Sequence, residues 1–223
     1  MGCILRGTAL MSLVAASMWA EEPPQALNGL PLVFEEDFEA GDGRWRKTDP
    51  EAWEIINEDG DHALALVRPS NYAPEVRSPL NIALVKDLEV GSFVFEATLK
   101  QTGRDYDHRD LCLFFGHRDP SKFYYVHLAT KADAHAHSIF LVNDAARVSI
   151  AKERTEGVVW DDETHLVRIT RDAESGQIAV FFDDMERPIM QTIDKTFLTG
   201  TIGVGSFDDT GTFDTIRVWA EKK

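Results

Sequence analysis

Thr164–Asp184 reads THLVRITRDAESGQIAVFFDD: two short runs rich in β-branched and aromatic residues, joined by DAESGQ, whose Asp, Ser and Gly are turn formers. The pattern is that of a β-hairpin. Runs of the same kind lie on both sides: HALALVR, SFVFEATLK, LCLFFGH, KFYYVHLA, HSIFLVN, ARVSIA, GTIGVGSF and TFDTIRVWA. Gly, Pro, Asp and Asn separate them, and HRDPSK closes a further hairpin. No window sustains a helical period. About ten such strands at this spacing predict an all-β, two-sheet antiparallel sandwich or jelly roll.

The chain has 223 residues, of which 43% are hydrophobic, which suits one globular domain with a sizeable core. Residues 1–20, MGCILRGTALMSLVAASMWA, differ from the rest: one arginine, no acid and an apolar run ending in small residues. The run is too short to cross a bilayer and is read as a secretory signal, which places the protein outside the cell or in a periplasm. Residues 21–31 form a polar, Pro-containing lead-in, and 32–223 form the domain. No other stretch is apolar enough to span a membrane.

The net charge of −15 opposes binding to phosphate backbones and anionic membranes, so nucleic acid is not an expected partner. Cys3 lies in the signal, which leaves Cys112 without a mate. Within LCLFF it reads as a small core residue. Trp45, Trp53, Trp160 and Trp219 fall at strand starts or ends and are expected to cap the core, the alternative being that one of them is a sugar-stacking platform. The glycines of GTIGVGSFDDTG open no helix and are read as allowing close strand packing.

Chemistry-bearing residues gather around FYYVHLATKADAHAHSIF, Phe123–Phe140. If HRDPSK and TKADA each close a hairpin, Leu111 lies opposite His127, and His127 opposite His137. Alternation then puts Cys112, Phe114, Val126, Leu128, Phe140 and Val142 on a core face. Asp107, Arg109, Leu111, Tyr125, His127, His135 and His137, with Leu113 and Ile139 further along, fall on an accessible face. Four readings fit this second face. Zinc would use Asp133, His135 and His137 with His127 across the hairpin. A catalytic acid/base set would use Tyr125, His127 and His137 with Arg109. A sugar-binding groove would add His135, Asp107 and His108. The fourth is a solvated sheet face with no ligand. Asp105, Asp107 and Asp110 in DYDHRD are acids beside this groove, or a solvated strand edge.

WDDETHLVRITRDAESGQIAVFFDDMERPIM (160–190) resembles the Trp…His-x-Val-x-Ile-x-Arg…Gly-x-Ile-x-Val-x-x-Asp-Asp…Pro segment of concanavalin A-like (laminin G-like) jelly rolls. VFEEDFEAGDGRW (33–45) resembles their first strand, and GTIGVGSFDDTGTFDTIRVW (200–219) their closing strands. The resemblance implies a concanavalin A-like jelly roll that engages a poly- or oligosaccharide on its concave face. It leaves open a polysaccharide lyase using Tyr, His and Arg, a glycoside hydrolase in the same groove, and a structural or protein-interaction module. The Glu-x-Asp-x-x-Glu run of laminarinase-type relatives is missing, which counts against that hydrolase mechanism. The resemblance also implies a structural calcium ion tying the first strand to the last, with Asp37 and Asp214 as ligands and Glu36 and Asp209 as weaker candidates.

Overall fold

The computed structural model describes residues 22–222, Asp59 excepted. Residues 1–20, which carry the export expectation, lie outside the described residues. In chain order the strands are β1 (Ala26–Leu27), β2 (Leu30–Glu36), β3 (Trp45–Lys47), β4 (Trp53–Glu58), β5 (Asp61–Leu66) and β6 (Asn81–Val85). Next come β7 (Val90–Gln101), β8 (Asp110–Asp119), β9 (Lys122–Ala129), β10 (Ser138–Asn143), β11 (Val148–Ser149) and β12 (Glu153–Arg154). The last are β13 (His165–Arg171), β14 (Gln177–Phe182), β15 (Met190–Ile193), β16 (Thr201–Ser206) and β17 (Gly211–Lys222). Structure thus begins inside the lead-in, since β1 and the start of β2 fall before residue 32. No described helix is long and apolar enough to cross a membrane.

The strands form two antiparallel sheets. The larger runs β1-β2-β17-β7-β13-β14-β15-β12, with β5 also pairing β17 and β4 pairing β5. The smaller runs β11-β10-β9-β8-β16-β6-β3. The hairpin read from Thr164–Asp184 is β13–β14, with Ile169 opposite Val180. Its inward residues Val167, Ile169, Ile178 and Val180 meet Leu111, Leu113, Phe115, Val126, Leu128, Ile139 and Val204 of the smaller sheet in one core. Trp45, Trp53, Trp160 and Trp219 are buried, as expected. Each large side chain removed from water contributes about 1.5–3 kcal/mol, so this layer is what makes the jelly roll stable.

Two expected registers are off by one residue. His127 pairs with Cys112, not Leu111, and with Ser138, not His137. A bulge between Phe115 and Asp119, with Gly116 at φ 57°, shifts the first hairpin. His137 at φ 51° turns the chain before β10 begins, which shifts the second. A one-residue slip moves a whole strand to the opposite face. On β9 the expected faces hold, with Val126 and Leu128 inside. On β8 and β10 they are exchanged: Leu111, Leu113 and Ile139 join the inter-sheet core, while Cys112, Phe114, Phe140 and Val142 lie beside Tyr125 and His127.

That outer face is therefore not an open mixed surface. Ile82, Leu84, Cys112, Phe114, Phe123, Tyr125, Phe140 and Val142 form a second apolar cluster, with Val76 packed against it. Tyr125 stacks on Phe114 and Phe140 at centroid distances of 5.8 and 5.2 Å. The Arg147 guanidinium lies 4.6 Å over Phe140 and 4.2 Å over Phe207, closing the cluster from above.

Candidate functional site

The residues singled out from the sequence separate into buried and exposed sets. Tyr125 is fully buried and its hydroxyl accepts a 2.6 Å hydrogen bond from Arg147 Nη1. Burial holds its phenol well above its ordinary pKa. His127 is buried; its Nδ1 accepts from the His137 backbone N–H at 3.4 Å, and its Nε2 lies 3.7 Å from Asp110 Oδ1. Burial first, and then the Arg147 cation, keep this imidazole neutral. His137 is also buried, with Nε2 2.9 Å from Thr155 Oγ1, and burial lowers its pKa to about 4. The Arg109 guanidinium donates to the Trp160 carbonyl.

Asp107 pairs with Lys131 at 3.1 Å, and His108 with Asp133 at 2.6 Å, both at the surface. His135 is exposed, and its backbone N–H donates to Asp133 Oδ1 at 2.7 Å. The histidines and Asp133 therefore do not share one coordination sphere. Among the described residues, the only group of three or more His, Cys, Asp or Glu side chains that converge as metal ligands is Asp110, Asp208 and Asp209. The set named for zinc is not brought together.

The carboxylate cluster sits where β8 begins and where the β16–β17 loop passes it. Asp110 Oδ2 accepts from the Phe207 N–H at 2.8 Å and from the Cys112 thiol at 3.0 Å. Asp209 Oδ2 accepts from the Tyr106 hydroxyl at 2.6 Å and from the Asp110 N–H at 2.9 Å. Burial, with the charges of Asp209 and Asp208 added, raises Asp110 to about 7. Burial likewise raises Asp209. Sequence reading named Asp110 and Asp209 separately, for different sites, and missed Asp208. About a hundred residues separate the two halves, and only the β8–β16 pairing brings them together.

β2 and β17, the two strands that the calcium expectation ties together, are neighbours: Ile216 of β17 lies opposite Glu36 of β2. Asp214 is half-buried and its Oδ1 has no partner among the described residues. Burial raises it to about 6, and the charges of Asp61 and Asp37 push the same way. Glu36 is otherwise engaged, by Arg44 Nε at 3.0 Å and Trp45 Nε1 at 3.1 Å. Asp209 belongs to the Asp110 cluster.

Past the aromatic cluster, the outer face of the smaller sheet opens into a pocket of about 370 Å³ between β3, β6 and the β8–β9 turn. Ile82 and Leu84 form its apolar floor, with Arg46, Tyr72 and His117 around them. His117 stacks on Phe123 at 5.3 Å and 20°. Burial, and then the Arg46 cation, lower its pKa to about 4, so the ring is neutral at physiological pH. Sequence reading passed over this set, which comes from four separated segments. A larger cleft of about 510 Å³ on the outer face of the larger sheet carries Ser92, Thr170, Gln177 and Gln191 but no exposed aromatic ring.

No protein-family model and no curated protein matches the sequence. Solved structures do. Carbohydrate binding module CBM66 from Bacillus subtilis aligns over 79% of this chain and 96% of its own, at 16% identity and a TM-score of 0.56. A Bacillus subtilis protein of unknown function with a galectin-like fold aligns over 85% of this chain and 96% of its own, at 12% identity and a TM-score of 0.59. Lectin I-B4 from Griffonia simplicifolia aligns over 84% of this chain and 98% of its own, at 14% identity and a TM-score of 0.53. At such identities the likeness speaks for architecture alone, and the architecture is the lectin-like, concanavalin A-type jelly roll.

Proposed function

We propose that this chain binds a carbohydrate in the pocket of Arg46, Tyr72 and His117, and that it is exported to do so. The observation that carries the reading is the pocket's composition. An aromatic ring and a neutral imidazole stand beside a guanidinium over the apolar floor of Ile82 and Leu84. Rings and aliphatic floors take the C–H faces of a sugar, and a guanidinium takes its hydroxyls or a carboxylate. The pocket lies on the same sheet face as the expected groove, displaced from Tyr125 and His127 because aromatic packing fills the face there.

Binding is favoured over cleavage by where the carboxylates are. Retaining hydrolysis needs two carboxyl groups about 5–5.5 Å apart with a sugar between them. The converging acids here include Asp110, which is fully buried and pinned by a backbone N–H and a thiol. Lyase action by Tyr125 is opposed by burial, which strengthens the phenol's hold on its proton. In this reading Tyr125, His127, His137 and Arg109 support the fold, and Asp107, His108 and His135 form surface pairs and turns. A structural calcium ion at Asp37 and Asp214 is part of the proposal, supported by the unpartnered Asp214 Oδ1.

Calorimetric titration against neutral and uronate-containing oligosaccharides tests the reading. Saturable binding is expected, weakened about tenfold or more by Tyr72→Ala or Arg46→Ala with melting temperature little changed. Reducing ends and unsaturated products should stay at background. Binding that both variants retain at full strength would refute the pocket, and release of new reducing ends would make the protein an enzyme.

A further inference from the structure

Asp110, Asp208 and Asp209 present three carboxylates on two elements far apart in sequence, the start of β8 and the β16–β17 loop. One ligand atom from each lies within 4.8 Å of the others. That is the span a single ion can bridge with oxygens at about 2.3–2.6 Å on either side. A second observation points to a ligand. Asp110 is fully buried, its Oδ2 is held by two donors, and its Oδ1 has no partner among the described residues. A buried carboxylate oxygen without a donor is costly, more so beside two further acids. Among the described residues no arginine or lysine pairs with any of the three. His127 Nε2, at 3.7 Å, is beyond hydrogen-bond range of Oδ1.

We propose that Asp110, Asp208 and Asp209 form a cation site, separate from Asp37 and Asp214, that takes a hard divalent ion of the calcium type. The donor set decides the class of ion. His127 does not join it as placed, because its Nδ1 accepts the His137 N–H and the ring proton therefore sits on Nε2, facing Asp110. With imidazole excluded, the ligands are carboxylate oxygens, which suit calcium over zinc. The carboxylates are already oriented. Tyr106 and the Asp110 N–H fix Asp209, the Phe207 N–H and Cys112 fix Asp110, and exposed Asp208 closes the site from the solvent side. A bound ion would clamp the start of β8 to the loop that leads into β17. The inference does not depend on carbohydrate binding.

Terbium luminescence and calcium calorimetry test it in an Asp37→Asn/Asp214→Asn background, which removes the other acidic pair. That protein should still bind calcium saturably, compete it against terbium, and gain melting temperature on binding. Adding Asp208→Asn, at an exposed position, should weaken binding about tenfold or more, with circular dichroism confirming the fold. Asp110→Asn should do the same, with circular dichroism confirming the fold. No saturable binding in the background protein would overturn the proposal in favour of acids that share protons among themselves. So would equal affinity after Asp208→Asn. Loss of sugar binding leaves these readouts untouched, so the two proposals fail separately.

Discussion

His137 combines two costs at one position: a left-handed backbone at φ 51° and a buried imidazole lowered to about 4. In the unfolded chain the same ring takes a proton near its ordinary value of 6.5. Between those values the unfolded state binds more protons, so His137 withdraws stability as pH falls from about 6.5 towards 4 and is neutral above that window. Asp110 and Asp214, raised to about 7 and 6, act with the opposite sign over much of the same range. The useful measurement is therefore a difference. His137→Asn keeps a residue that tolerates the left-handed region and removes the titrating ring. Urea unfolding should show wild type losing ground against this variant as pH drops from 6.5 to 4; a pH-independent gap would refute the assignment. Buried His127 is expected to behave as a packing residue, with His127→Ala costing about 2–4 kcal/mol in urea unfolding. Undiminished stability would return it to the list of binding residues. At this scale the sequence was only partly legible. Alternation along β9 sorted Tyr125 and His127 from Val126 and Leu128 correctly. The bulge at Gly116 and the turn at His137 each insert a residue that alternation cannot register, so the neighbours on β8 and β10 were assigned to the wrong faces.

Among the elements, β16 shows how tightly the smaller sheet is built. A Cβ added at Gly205 would stand 1.9 Å from the Asn81 carbonyl oxygen, and one at Gly203 would stand 2.3 Å from that of Ala83. Both contacts are with the backbone of β6, which cannot swing aside, so glycine is required for the close approach. Gly205→Ala should cost about 3 kcal/mol, the upper part of the range for overpacking. A urea midpoint within error of wild type would show that the strands part more easily than this geometry implies. The glycine pattern of GTIGVGSF conveyed that closeness. The pocket of Arg46, Tyr72 and His117 left no such trace, because no local spacing links four segments that meet only when β3, β6 and β8 share a sheet. The same is true of Asp110 with Asp208 and Asp209.

For the molecule as a whole, the fold class was readable because every strand carries its own evidence of composition and turn chemistry. The candidate pocket was not, since it depends on register and on long-range neighbours. The smaller sheet is packed on both faces, one against its partner sheet and one under Arg147 and Val76. Cys112 lies in that second layer, and burial raises its thiol well above the ordinary range. Its reaction with a thiol reagent should be negligible in the native protein and should rise only with global unfolding, followed on the Cys112 peptide by mass spectrometry. Rapid labelling under native conditions would mean that the second layer opens independently of the first. A further consequence follows from β17, twelve residues long and flanked by β2, β5 and β7. β17 is an interior strand, and β2 and β5 each lack a neighbour on one side until it is in place. The larger sheet therefore cannot close until segments about 180 residues apart have met, so its folding is governed by long-range contacts rather than by local hairpins.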